Sequence, residues 1–399
     1  MLWLFMFFAV VLVWFSFRSL HGGFAYLRFF RERLSDEPSV HTPFATIIAP
    51  CRGIDPDMSD NLRALFEQEY PAYEIIFVVD DAADASVAVI NELMGRNRRI
   101  PAKLVIAPKS TTSSQKVENL REAVLHANPA SEIFAFVDSD ARPTQTWLRS
   151  LAAPLVDENI GAATGYRWFI SPQPTMASEL RSVWNASVAS SLGPNTTSNF
   201  CWGGSMAMRR DVFDRVAMRD KWHGTLSDDF VVTKALNDAG MPIVFVPSAM
   251  AASVENCTFR ELLEFTTRQM KITRVYQTKL WVLSFFGSGL FCVVMTAAFL
   301  IVLLSRTNGI AVWSAIATIA LISAFSIGKA WLRLRAIRLA LPQYEPALSR
   351  QTLAQLTLWL VTSAIFLYNA AAALVSRRMT WRGIRYELKS PTETVIITE

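Results

Sequence analysis

Three stretches near the end of this chain, Trp281 to Leu304, Ile310 to Gly328 and Gln351 to Ser376, carry no charged residue and run for about 19 to 26 residues each. A helix needs about 20 apolar residues to cross the hydrocarbon of a bilayer, so each is long enough to span. Core helices of soluble proteins usually show a polar stripe, and these runs read as lacking one. A fourth apolar stretch, Met1 to Phe17, opens the chain and sits at the lower length limit for a span. It has no basic n-region before it and no small-residue cleavage site after it, so a permanent anchor is expected rather than a signal peptide.

The remaining composition fits a protein that is part membrane and part globular. Hydrophobic residues make up 52% and charged residues 18%, against about a quarter charged in ordinary soluble domains. The net charge of +5 is not concentrated in a Lys/Arg block interleaved with aromatics, which argues against a nucleic-acid partner. Cys51, Cys201, Cys257 and Cys292 form no CxxC pair, so neither a structural zinc site nor a disulfide framework is implied.

Basic residues flanking the spans set their orientation. Arg18, Arg28, Arg31 and Arg33 follow the first span, Arg306 alone lies between the second and third, and Lys329, Arg333, Arg335 and Arg338 follow the third. This places the large segment from about 18 to 279 in the cytoplasm. Four simple crossings would then put the tail outside, yet it carries Arg377, Arg378, Arg382, Arg385 and Lys389. Either one apolar run is re-entrant or interfacial, or the positive-inside rule fails. Lys329 to Arg350 alternates basic and apolar residues, as an amphipathic helix on the membrane surface or a polar loop would.

Residues 42 to about 250 alternate strand-like and helix-like runs. Strands are expected at Phe44 to Ala49, Glu74 to Val79, Lys103 to Ala107 and Ile133 to Val137, and helices at Ser59 to Glu69, Ala85 to Met94 and Val117 to Leu125. Such alternation predicts a parallel α/β sheet, with ligands at the carboxyl ends of its strands. Two of those strands run directly into acids, Asp80-Asp81 and Asp138-Ser139-Asp140. Carboxylates there are costly unless solvated, paired or metal-bound, and they suit Mg2+ or Mn2+ shared with substrate phosphates. A capped turn is the simpler reading of Asp80-Asp81. Ser227-Asp228-Asp229 opens a helix-like run and suits either a helix start or a carboxylate general base.

Taken in order, several short pieces resemble family 2 glycosyltransferases of the GT-A fold, and most of all the ceramide glucosyltransferase-like group of membrane enzymes. The pieces are Pro50-Cys51-Arg52-Gly53, Asn61-Leu62-Arg63, Gln68 to Glu74, Val78 to Asp81 with Asp84, Lys116 to Leu120, Asp138-Ser139-Asp140, Gly203 to Met206 and Ser227 to Asp229. The resemblance covers about 44 to 280 and implies a role for each position. Asp81 with Asp80 would contact the uridine of a nucleotide sugar, and Pro50, Arg52 and Lys116 would line the same pocket. Asp138 and Asp140 would be the D-x-D pair and hold the cation. Asp229 would be the catalytic base with Asp228 beside it, and Gly203, Gly204 and Ser205 would form a tight loop near sugar and acceptor. Relatives often carry Q/R-x-x-R-W before the C-terminal spans. Here Lys271 and Ile272 stand at its Arg and Trp, leaving Arg268, Gln269 and Arg274 as candidate pyrophosphate ligands.

The expected organisation is an anchor at 1–17, a cytoplasmic GT-A-type α/β domain that binds a nucleotide sugar at 42–279, a transmembrane region at 280–376 with an amphipathic linker at 329–350, and a basic tail at 377–399. The expected activity is transfer of a sugar from a UDP donor to a lipid hydroxyl, with a divalent cation and inversion at the anomeric carbon. A basic Trp381-Arg382-Gly383 surface would keep the acceptor at headgroup level. A processive polysaccharide synthase, a nucleotidyltransferase and a non-catalytic membrane scaffold are the rival readings.

Overall fold

The structure, a computed structural model, describes residues 2–37, 39–305 and 308–397. Arg306, counted above for orientation, lies outside the described residues. The chain divides into two compact units: Glu32–Pro172, Ser191–Asn256 and Arg377–Glu399 form one, and Met1–Arg31, Gln173–Ser190 and Cys257–Ser376 the other.

In the first unit the strands follow in chain order as β1 (Ala45–Pro50), β2 (Tyr73–Val79), β3 (Ala102–Ile106), β4 (Ile133–Phe136), β5 (Ala162–Thr164), β6 (Arg167–Ile170), β7 (Met206–Arg209), β8 (Ile243–Phe245) and β9 (Ala251–Val254). Among the described residues, seven of them form one sheet in the order β3-β2-β1-β4-β7-β5-β8, and β6 pairs with β9 beside it. Every residue of β1, β2 and β4 is buried, as expected of strands covered on both faces, which read as continuous apolar runs. Parallel neighbours need crossovers, and the helices Met58–Phe66, Ser86–Arg96 and Gln115–Ala123 lie in them. The predicted strands and helices of this half all form, with ends shifted by a few residues.

Two expectations need correction. The sheet is mixed, because β7 runs antiparallel to both β4 and β5; strand direction leaves no trace in apolar periodicity. The segment read as a basic tail is a three-stranded antiparallel sheet of β10 (Arg378–Trp381), β11 (Ile384–Ser390) and β12 (Glu393–Ile396). Its Tyr386 and Leu388 are buried, and it belongs to the unit that carries the acids.

The second unit is helical. Among the described residues, three helices are long and apolar enough to cross a membrane: Leu2–Leu34, Thr278–Leu304 and Gly309–Ala340. The first runs past the expected anchor at 1–17, and the third runs through Lys329 to Ala340, so only Glu345–Arg350 remains as a separate helix of the expected linker. The expected fourth span is broken at Leu358 into Thr352–Thr357 and Trp359–Val375, and the longer piece has 17 residues. It also carries the polar stripe that looked absent. Buried Gln355 donates to Ser182 Oγ at 3.0 Å and accepts from Arg333 at 3.2 Å, while buried Asn369 Oδ1 accepts from Thr267 Oγ1 at 2.9 Å. Partners of this kind make a polar stripe compatible with packing against other helices.

Candidate active site

Strands β1, β2 and β4 are parallel neighbours, so the residues that follow them emerge at one edge of the sheet. These are Cys51-Arg52-Gly53, Asp80-Asp81 and, after Val137, Asp138-Ser139-Asp140. The helix Gln115–Ala123 starts at the same edge after β3 and carries Lys116 in its first turn.

Lys116 is the hub. Its Nζ lies 2.7 Å from Asp138 Oδ1 and 3.1 Å from Asp228 Oδ1. Arg167 closes the other side, with Nη2 3.3 Å from Asp138 Oδ2 and Nη1 3.2 Å from Asp140 Oδ2. The guanidinium of Arg167 stacks over the Trp202 ring at 4.6 Å, a contact that is favourable for a desolvated cation. Burial disfavours the Lys116 ammonium, but Asp138, Asp228 and Asp229 outweigh it and hold the amine above its usual range. Burial also pushes the Asp140 carboxyl up, and the positive charges of Arg167, Arg382 and Lys116 bring it below its ordinary value. For Asp228 burial wins over Lys116, reinforced by Asp229 and Asp138, and its carboxyl is pushed up to about 6. Asp140 Oδ1, Asp228 Oδ2 and Asp80 Oδ1 are buried with no hydrogen-bond partner.

Asp228 and Asp229 open the helix Asp228–Asp238, where negative charge complements the helix dipole. Ser227 is its N-cap residue but makes no cap bond; its hydroxyl donates instead to Asp229 Oδ1 at 2.5 Å. The Gly203 N–H donates to Asp229 Oδ2 at 3.3 Å. Asp229 is half-buried and Asp228 fully buried, so Asp229 is the more accessible of the two. The glycine loop is tight for identifiable reasons. A Cβ on Gly203 would stand 2.1 Å from Asp228 Oδ2, and one on Gly204 would stand 2.1 Å from the Trp202 ring. Ser205 holds the loop from beneath, accepting from Trp147 Nε1 at 2.7 Å and donating to Ala249 O at 2.9 Å.

Beside this cluster lies an open depression of about 170 Å³ lined by Arg52, Asp80, Asp81, Ala83, Asp84 and Lys109. Arg52 pairs closely with Asp80. Asp84 accepts the Gly53 N–H at 3.0 Å and the Ser86 hydroxyl at 2.6 Å; burial raises its carboxyl, but those bonds and Arg52 leave it lowered. The Ala83 N–H, then Lys109, hold Asp81 below the usual carboxylate range. Pro50 is buried at the end of β1, in register with Val78.

Arg52, Asp80, Asp81, Lys116, Asp138, Asp140, Gly204, Asp228 and Asp229 thus come together at one sheet edge. Arg268, Gln269 and Arg274 lie on the helix Phe259–Tyr276, which belongs to the other unit. There Arg274 Nη1 donates to the carbonyls of Ala373 and Leu374, the latter at 3.0 Å, which satisfies the end of Trp359–Val375. The expected membrane-facing role of Trp381-Arg382-Gly383 also changes, because the Arg382 guanidinium pairs with buried Asp55. Sequence reasoning missed Asp55, Arg167 and Arg382. Nothing local marks any of the three, since Arg-Gly is not among the pairs that two-residue hairpin turns favour.

The family model for glycosyl transferase family 21 matches residues 2–394. Ceramide glucosyltransferase of Candida albicans is 30% identical over 105 residues, 23% of this chain and 19% of that protein. Ceramide glucosyltransferase 1 of Caenorhabditis elegans is 23% identical over 207 residues, 51% of this chain and 44% of the relative. An N-acetylglucosaminyltransferase of Rhizobium leguminosarum bv. viciae is 25% identical over 224 residues, 53% of this chain and 51% of the relative. The matches therefore span about a fifth to about a half of those relatives' lengths. A solved mannosyltransferase from Pyrobaculum calidifontis, in complex with GDP-Man and Mn2+, is 18% identical with a TM-score of 0.49, covering 93% of this chain and 98% of its own. With a family match that runs nearly end to end, the chain belongs to glycosyl transferase family 21.

Proposed function

We propose that this protein transfers a sugar from a nucleoside-diphosphate donor, UDP in our reading, to the hydroxyl of a membrane lipid. The observation that carries it is Lys116 bridging Asp138 and Asp228. One cation ties the D-x-D loop after β4 to the acid pair that opens Asp228–Asp238, so donor-binding and proton-accepting groups share one constellation.

The residues fit a divalent cation. Asp140 presents a buried carboxylate oxygen with no partner, and Asp138 stands two positions away. Mg2+ and Mn2+ commonly take one or two carboxylates and complete their shell with water and substrate phosphates. Bound by Asp140 and Asp138, the cation would neutralise charge on the departing diphosphate. The polar depression at Arg52, Asp80 and Asp81 suits the base and ribose of the donor. Asp229 accepts the proton of the acceptor hydroxyl: its Oδ2 holds only the long Gly203 bond, while Oδ1 is fixed by Ser227 and the Phe230 N–H. Asp228 keeps Lys116 in place, and Lys116 and Arg167 offer fixed positive charge to the leaving group. A single displacement inverts the anomeric carbon.

The C-terminal sheet supports the cytoplasmic orientation. Residues 377–399 fold with the unit that holds 32–172, so both lie on one side of the membrane and the intervening chain crosses an even number of times. Thr278–Leu304 and Gly309–Ala340 supply two crossings, and the broken Thr352–Val375 region stays interfacial or re-entrant. The tail arginines then lie on the cytoplasmic side with the acids, as the positive-inside rule requires.

The test uses full-length protein in detergent with Mn2+ or Mg2+, a panel of nucleotide sugars and a total lipid extract, following release of nucleoside diphosphate. Lipid-dependent release that is lost in Asp140→Ala and in Asp229→Ala is the expected result. No release with any donor from folded protein sinks the transferase reading. Tags placed after Ile397 and in the 36–42 linker that label from opposite membrane sides would refute the topology.

A further inference from the structure

Arg382 sits where a side chain of its size is unexpected. It and Gly383 form the two-residue turn between β10 and β11, with φ of 50° and 79°. Such turns favour Asn, Asp and Gly, because a non-glycine residue in the left-handed region is strained. Strain of this kind tends to persist where a function requires it. The turn carries Arg382 into the acid edge of the sheet. Its Nη1 pairs with Asp55 Oδ1, and Asp55 Oδ2 accepts the hydroxyl of Ser139, the middle residue of the D-x-D loop, at 2.6 Å. The Arg382 carbonyl accepts from Arg52 Nε at 3.1 Å. Its charge also helps to hold the Asp140 carboxyl below its ordinary value.

Accessibility separates the cations of this edge. The side chains of Lys116 and Arg167 are 15% and 11% exposed and already bridge two carboxylates each. Those of Arg382 and Arg52 are 36% and 31% exposed, and of the two Arg382 is the one bound to the support of the D-x-D loop. We propose that Arg382, delivered by the C-terminal hairpin, is a donor-binding residue whose guanidinium grips the distal phosphate of the nucleoside diphosphate beside the D-x-D loop. A planar guanidinium can hold Asp55 with one nitrogen and offer others to phosphate oxygens. The inference rests on the transferase reading above.

Its test is binding of UDP, GDP, UMP and GMP to the full-length protein in detergent with Mn2+, measured by calorimetry. In Arg382→Gln, affinity for the diphosphate that binds wild type should fall about tenfold to a hundredfold, the range for one charge-assisted hydrogen bond. Affinity for the matching monophosphate should stay within about twofold of wild type by the same reasoning. Arg382→Lys, which keeps charge but not the fork, should fall between the two, and it serves as the test if the glutamine variant does not fold. Wild-type diphosphate affinity in these variants, or equal losses for mono- and diphosphate, overturns the proposal. Wild-type protein that binds no nucleotide sinks the transferase reading itself, which sets that failure apart from this one.

Discussion

The Tyr386 hydroxyl oxygen accepts the backbone N–H of Gln115 at 3.1 Å, so a side chain of the C-terminal sheet caps the helix that carries Lys116. First-turn N–H groups have no partner within their own helix, and this one is buried. Tyr386→Phe keeps the ring and removes the acceptor. Stability should fall by about 1–3 kcal/mol, the cost of an unsatisfied buried donor, read as a lower melting temperature. A change indistinguishable from zero would mean that the C-terminal sheet does not support this helix.

Lys116→Met should be more damaging. It leaves Asp138 and Asp228 facing one another without the cation between them. Removing one partner of a buried ion pair costs about 3–5 kcal/mol. Nucleoside diphosphate release should fall by about a hundredfold or more, since fixed charge at the leaving group goes with it. Melting curves taken alongside the assay separate lost chemistry from lost fold.

The β1, β2 and β4 strands and the acids after them were legible because continuous apolar runs ending in Asp have few other homes in an α/β sheet. Lys116, Asp140 and Asp229 became candidates through the order of short motifs. Arg167 was not, because it reaches Asp138 and Asp140 from a strand whose sequence, Arg-Trp-Phe-Ile, gives no sign of polar surroundings. The polar side of this region was hidden for a related reason: Gln355 and Asn369 are too few to interrupt an apolar run, and their partners Ser182 and Thr267 lie far away in the chain. Arg382 was misassigned to the membrane surface because its ion pair with Asp55 joins residues 327 positions apart.

Cation dependence should follow Asp140. Its free oxygen is the open carboxylate position of the D-x-D pair, so Asp140→Asn should abolish the difference in nucleotide affinity seen with and without Mn2+. EDTA should reduce wild-type protein to the level of the variant. A variant that still responds fully to Mn2+ would place the cation elsewhere.

A pH dependence follows from Asp228. Its carboxyl is raised from the ordinary 3.8 to about 6, chiefly by burial. A raised folded-state value means that the native protein holds its proton more tightly than the unfolded chain. The associated stability is fully present below pH 4 and is lost as pH rises to about 6, by roughly 3 kcal/mol. Asp228→Asn resembles the protonated form throughout. The two melting temperatures should therefore be similar near pH 4, and wild type should fall below the variant between pH 4 and 6. Parallel curves across that window would show that Asp228 is not the group that titrates.

Gly203→Ala tests how closely the two halves of the constellation approach. The added methyl would stand 2.1 Å from Asp228 Oδ2 and 2.9 Å from Lys116 Nζ. Both atoms end flexible side chains, but each chain is held: Lys116 by Asp138, and the Asp228 carboxylate by Lys116 itself. Relief must come from breaking the Lys116–Asp228 contact or from moving the loop whose Gly203 N–H reaches Asp229. Strain of this kind typically costs about 1–3 kcal/mol of stability. The loss of activity should be larger than that loss of stability implies, because either route displaces a group from its working position. Lowered stability with nucleoside diphosphate release at the wild-type rate would show that the Lys116–Asp228 contact serves the fold alone.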